Sequence, residues 1–145
     1  MKVVLQRSLH SKVLVDETSV GEIDSGLVLF VCCEKNDTEA IVLKAAEKIK
    51  KLRIFTDPET GKMNFDINQA KGSYLVVSQF TLSWEGTKGN RPSFDNSMDP
   101  EPAEELFNKF CDCLSRTAKV NTGQFGASMK VCIENDGPVT FSFSF

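Results

Sequence analysis

The chain has 145 residues, of which 41% are hydrophobic and 26% charged, with a net charge of −3. That length suits one domain around one hydrophobic core, and the composition is that of a soluble globular protein. The acidic balance excludes a general nucleic-acid coat, though a small, locally basic contact with RNA stays open. No apolar run approaches a membrane span, and the N-terminal "MKVVLQRSLHSKVLV" is broken by Gln6, Arg7 and His10, unlike a signal peptide. Five cysteines, an odd number, predict reduced thiols and a cytoplasmic location.

Taken in chain order, "KVVLQRS", "KVLVDE" and "SVGEID" predict short strands, with Gly26 preceding a more apolar one, "LVLFVCCE". His10 then falls in a turn between the first two. Asn36 followed by Glu39 marks a helix start, and Ile41, Val42, Ala45, Ile49 and Leu52 share one face of the helix in "TEAIVLKAAEKIKKL". A loop from Asp57 to Gly72 leads into "SYLVVSQFTL", apolar and long enough to be a central strand, and "SWEGTKGNRPSFDNS" is a polar loop. In "DPEPAEELFNKFCDCL", Asp99 is the cap and Pro100 the first position of a second helix, buried through Leu106, Phe107, Phe110 and Leu114. "SMKVCIEN" and "VTFSFSF" close the chain as two strands. The expected fold is a single α/β domain, residues 1–145, with a mixed β-sheet and two main helices.

The chemistry is constrained by what is missing. Cys32-Cys33 and Cys111-x-Cys113 lack the spacing of zinc ligands, so no metal is expected and the thiols read as small buried hydrophobes. No Gly-rich strand-to-helix fingerprint or Walker lysine supports a nucleotide, so no cofactor is expected. The single histidine, His10, is a poor candidate for a base beside a Ser or Cys nucleophile. A hydrolase built on this sequence needs an already reactive substrate, or one that brings its own catalytic group. Two stretches resist a packing explanation. Ser78-Gln79 ends the most apolar strand, and Asn135-Asp136-Gly137-Pro138 precedes a strand in which proline cannot donate to a ladder. A turn between two strands is the ordinary reading of the latter.

These two stretches, in this order, resemble the signature of the D-aminoacyl-tRNA deacylases, in which a Ser-Gln-Phe-Thr motif meets an Asn-x-Gly-Pro-x-Thr motif. Here they stand as Ser78-Gln79-Phe80-Thr81 and Asn135-Asp136-Gly137-Pro138-Val139-Thr140. The likeness runs through Gln6-Arg7, "EKND", "RIFTD", "GKMN", "GNRPSF" and "TGQFGASMKV" and so covers nearly the whole chain. Ser8 and Cys32-Cys33 depart from the family pattern without touching either motif.

The resemblance implies a homodimer that hydrolyses the ester between a D-amino acid and the terminal adenosine of tRNA, mischarged glycyl-tRNA included, while rejecting L-aminoacyl-tRNA. It implies that the Gly137-Pro138 peptide is cis and reaches across the dimer into the partner's Ser78–Thr81 pocket, where its carbonyls leave no room for an L side chain. Arg7 holds that motif, with Asn135 beside it. Ser78, Gln79, Phe80 and Thr81 are the implied catalytic residues, with backbone N–H at Phe80 the candidate oxyanion donor and Ser78 and Gln79 shaping the pocket, and Phe125 and Met129 line the adenosine side. An aminoacyl ester is activated and its ribose 2′-hydroxyl can assist attack by water, so positioning and oxyanion donors suffice. Lys88, Arg91, Lys119 and Lys130 are candidate grips on the acceptor end, and neither DNA nor a membrane is an expected partner. Two rivals remain: a relative with relaxed chirality acting on mischarged L-amino acids, opposed by the intact Arg7 and Gly137-Pro138, and a non-catalytic tRNA-binding module, opposed by the intact Ser78 to Thr81.

Overall fold

A computed structural model describes residues 1–87 and 89–145. Among the described residues there are eight strands: β1 (Lys2–Val15), β2 (Thr18–Ile23), β3 (Gly26–Cys32), β4 (Phe55–Thr56), β5 (Met63–Phe65), β6 (Ser73–Ser78), β7 (Val120–Thr122) and β8 (Lys130–Ser144). Two α-helices, α1 (Glu39–Lys50) and α2 (Pro100–Ser115), and a 3-10 turn at Phe80–Ser83 complete the order. The main sheet runs β2-β1-β3-β6-β7, with β8 also paired to β1. β3, β6 and β7 are mutually parallel and the other pairings antiparallel, so the sheet is mixed as expected.

β1 replaces the two strands anticipated at its place. Residues 2–8 pair with β3 and residues 11–15 with β2, while β8 follows the other edge with register shifts between Gln6 and Ser8 and between Ser8 and Ser11. "SLHS" therefore bends the strand without ending it, and His10 lies inside β1, not in a turn. The interruption of alternation has two causes in sequence, a turn or a bulge, and a segment without Gly, Pro, Asn or Asp favours the bulge. The closing pair of strands is likewise one, β8. Gln6 faces Thr140 and Ser8 faces Asn135, so five steps on β8 span two on β1 and the intervening residues are extruded. The ordinary reading of Asn-Asp-Gly-Pro as a turn between strands gives way to a loop pushed out of one strand.

Parallel neighbours require crossovers, and both are helical: α1 joins β3 to β6 and α2 joins β6 to β7. The helices cover one face, where Val42, Ala45 and Ile49 of α1 and Phe107, Phe110 and Leu114 of α2 meet Leu27, Leu29, Tyr74 and Val76. α1 starts at Glu39 with Thr38 at the cap position, two residues beyond the Asn36 signal, and ends at Lys50, so Leu52 packs from outside the helix. Asp99 and Pro100 open α2 as expected, but the Asp99 carboxylate makes no capping hydrogen bond.

On the other face Val13, Ile23, Val28, Leu75 and Val77 form a second core, over which Met129, Val131 and Ile133 fold. The sheet thus curls towards closure. A Cβ on Gly21 of β2 would lie 2.2 Å from the Thr122 oxygen of β7, so only glycine permits this approach, and the Asn121 amide donates to the Glu22 carbonyl. The stretch from Asp57 to Gly72, expected as plain loop, carries β5 of a two-strand hairpin. β7 was not anticipated, because three residues are too few for a periodic signal.

Candidate active site

β6 ends at Ser78, paired with Val31, and the Gln79 N–H donates to the Val31 carbonyl at 2.8 Å, holding the chain in register one residue further. Gln79 then turns (φ −147°, ψ 81°) into the 3-10 segment Phe80–Ser83. The expected ten-residue strand is therefore cut short after Ser78. The first N–H groups of a helical turn have no partner within it, and among the described residues those of Phe80 and Thr81 make no hydrogen bond. Thr81 Oγ1 donates to Gln79 Oε1 at 2.9 Å. The Phe80 carbonyl accepts from Cys32 Sγ at 3.6 Å, and the exposed Phe80 ring meets Phe94 edge-on with centroids 5.0 Å apart.

These residues border a cavity of about 640 Å³ at the carboxyl ends of β3 and β6, beside the start of α2. Ligand sites in sheets with parallel strands commonly occupy this end, and the volume suits a small molecule or the tip of a large one. Ser78, Gln79 and Phe80 line it together with Phe125 and Met129. Phe125 is steadied by Phe107 of α2, ring centroids 5.8 Å apart. Thr81 does not line the cavity. Cys32, Met98, Asp99 and Phe107 do, and the sequence carried no signal for them because each is an ordinary cap or core residue in its own element.

The electrostatics of the cavity are sparse. Burial pushes the Cys32 thiol up to about 11, with Glu34 adding to it, and burial pushes Cys33 up to about 12, with Asp37 adding to it. Both are neutral near pH 7 and are not nucleophiles. His10 Nε2 lies 3.5 Å from Glu22 Oε1 on the β1–β2 hairpin and is not part of the cavity. Among the described residues of the lining, Asp99 is the one that carries a formal charge. Among the described residues no three His, Cys, Asp or Glu side chains stand together as a metal site.

Arg7, Asn135, Gly137 and Pro138 form a second cluster, on the loop extruded from β8. The Gly137-Pro138 peptide is cis, and Gly137 has φ 120°, where a Cβ would lie 2.7 Å from Val139 Cγ2. Both residues are exposed. Arg7 is buried, donates from Nη1 to the Ile54 carbonyl at 2.6 Å, and holds Nε 2.7 Å from Asp136 Oδ2. Asn135 Nδ2 donates to the carbonyls of Arg7 and Val139 at 2.9 and 3.2 Å. Within one chain the two clusters do not meet. Ser78 is level with Val31, Val3 and Phe143 across the sheet, whereas Arg7 is level with Leu27 and Tyr74. Traced over three strand spacings and four residues, the separation is about 20 Å.

Of the basic residues considered for the acceptor end, Lys88 lies outside the described residues. Arg91 and Lys130 are exposed, and Lys130 adjoins Val131 of the cavity lining. Lys119 is displaced from the site: its carbonyl accepts from Tyr74 N–H, at the opposite end of β6 from Ser78.

A roomy, largely apolar cavity whose polar edge is a turn with free backbone N–H groups is an enzyme pocket rather than a flat nucleic-acid-binding face. The chain belongs to the D-Tyr-tRNA(Tyr) deacylase family, hydrolases of the aminoacyl-tRNA ester, whose model matches residues 4–144. A D-aminoacyl-tRNA deacylase of Persephonella marina is 52% identical over 141 residues, 97% of this chain and 95% of that protein. One from Marinomonas sp. is 49% identical over 142 residues, 97% of this chain and 98% of the relative. The solved structure of the c-Myc DNA Unwinding Element Binding Protein superposes with a TM-score of 0.94 at 34% identity, covering 100% of this chain and 99% of its own. A probable eukaryotic D-amino acid tRNA deacylase shares the fold with a TM-score of 0.82 at 18% identity, covering 98% and 97%. Among the described residues no helix is long and apolar enough to cross a membrane.

Proposed function

We propose that the protein is a homodimeric deacylase that hydrolyses D-aminoacyl-tRNA, and glycyl-tRNA with it, at the ester to the terminal adenosine, sparing L-aminoacyl-tRNA. The observation that carries this reading is the unpartnered Phe80 N–H on the turn that edges the cavity, in a chain of this family. A backbone donor fixed before the substrate arrives stabilises the oxyanion that develops when water attacks the ester carbonyl, without reorganisation at the moment of reaction. The ribose 2′-hydroxyl of the substrate assists that attack, in a cavity whose lining offers neither imidazole nor thiolate. Ser78 and Gln79 shape the acyl end, while Phe125 and Met129 take the adenosine.

Two observations support the dimer. Gly137-Pro138 is exposed at the strand on the margin of the sheet, about 20 Å by strand spacings from its own Ser78. Among the described residues β8 also has a long edge without a strand partner, with Phe141 40% exposed, a surface that soluble proteins cover. A second copy would bring the loop to the first copy's pocket, where its backbone rejects any L side chain by collision and admits D residues and glycine. The test is ester loss from D-Tyr-tRNA, L-Tyr-tRNA and Gly-tRNA. Hydrolysis of the first and third with the second intact is expected; equal hydrolysis of D and L, or none of any, overturns the reading.

A further inference from the structure

The loop extruded from β8 has a neck and a tip, and different residues hold each. At the neck Asn135 Nδ2 bridges Arg7 on β1 and Val139 on the returning strand, while Asn135 Oδ1 takes Thr140 Oγ1 at 3.4 Å and Gln6 Nε2 at 3.4 Å. This network closes the base of the loop but leaves the tip, Asp136-Gly137-Pro138, projecting beyond it. At the tip the Asp136 carboxylate lies 2.7 Å from Arg7 Nε. The Nε–H is not aimed at that oxygen, so the contact is ionic rather than a hydrogen bond.

Arg7 has little freedom to let go. It is only 8% exposed, anchored through Nη1 to the Ile54 carbonyl, and its Nη2 lies 3.5 Å from where a Gly137 Cβ would be. A guanidinium removed from water needs an opposite charge nearby, and among the described residues Asp136 is the carboxylate within ion-pair distance. The attraction works in both directions: Asp136 compensates Arg7, and the fixed Arg7 fixes Asp136, the residue covalently joined to Gly137.

We infer that Asp136 is a positioning residue for chiral selection, through which Arg7 holds the Gly137-Pro138 tip. The resemblance has Arg7 hold the motif; here its Nη1 serves the Ile54 carbonyl and the tip is held by charge through Asp136. This rests on the proposed role of Gly137-Pro138 as the filter. Rejection by collision demands a wall that cannot retreat, and a displacement of about 1 Å is enough to change reactivity substantially. A loosened tip therefore admits L side chains first. Glycine, with no side chain to collide, is least affected.

The test compares rates on L-Tyr-, D-Tyr- and Gly-tRNA for Asp136→Ala, Asp136→Glu and Gly137→Ala, with thermal melts to confirm folding. Asp136→Ala is expected to raise the L-to-D rate ratio about tenfold or more, the effect of loosening one charge pair, with the glycyl rate moving far less and Asp136→Glu restoring most of the discrimination. In a cycle with Arg7→Gln the two effects should not add, because either change breaks the same contact. An equal fall on all three substrates marks a merely structural role and overturns the inference. So does an unchanged L-to-D ratio in Asp136→Ala when Gly137→Ala does change it, leaving the filter itself standing. A ratio unmoved in both variants removes the filter reading and this inference together.

Discussion

The hydroxyl of Thr81 donates to Gln79 Oε1 and lies outside the cavity lining, so it is poorly placed to attack an ester. A nucleophilic threonine also requires a neighbouring base, and His10 is on another part of the sheet. Thr81→Ala should therefore keep activity within about tenfold of the parent, a general-catalysis effect at most. A tRNA ending in 2′-deoxyadenosine should lose far more, because the substrate's own hydroxyl is removed. Single-turnover deacylation of both checks this. An inactive Thr81→Ala protein that folds and binds tRNA would reverse the assignment and make Thr81 the nucleophile.

At the scale of elements, α2 packs with α1 on one face of the sheet, and its Phe107 and Ala103 line the cavity. Phe110 is fully buried there, and Phe110→Ala should cost about 3–5 kcal/mol in urea unfolding, the sum of lost transfer energy and an unfilled cavity. The thiols of the same region set the alkaline limit. Burial pushes Cys32 up to about 11 and Cys33 and Cys111 up to about 12, from 9.0 in the unfolded chain. Above pH 9 the unfolded chain gives up these protons while the folded one keeps them, so the folded state binds more protons and loses stability as pH rises. Stability should be level in this respect below pH 9 and fall between pH 9 and about 12. Urea midpoints measured on either side of pH 9.0 read this out, and Cys33→Ala should make the decline shallower.

The whole molecule is incomplete if its filter belongs to another copy's pocket. Sedimentation at assay concentration should give a species twice the 16.1 kDa chain, and specific activity should fall on dilution below the dissociation constant. A fully active 16.1 kDa species would sink both the dimer and the cross-subunit filter. Activity surviving dilution with the dimer intact would leave the assembly standing. The charge pattern adds a direction of approach: Glu101, Glu104 and Glu105 on the first turns of α2 repel phosphates beside the cavity, so the acceptor end is expected from the side of Arg91 and Lys130.

Composition and local pattern by themselves determined the α/β class, both helices, the apolar strands β3 and β6 and the buried stripe of α2. These are long periodic signals that neighbouring elements reinforce. The two motifs identified the family, because Ser78 to Thr81 and Asn135 to Thr140 are specific as words even where their geometry is not legible. Tertiary structure decided what depends on pairing. β1 and β8 each read as two strands because a bulge and a turn interrupt alternation alike, and only the register shows that the chain continues. The short β7 and the close approach of Gly21 to Thr122 exist because the curled sheet brings its edges together. Asp136 stands in the middle of a quoted motif with nothing in its type to mark it. Its role comes from the ion pair with Arg7 at the break in the β1–β8 ladder, a juxtaposition of residues 129 apart in sequence that only the folded sheet creates.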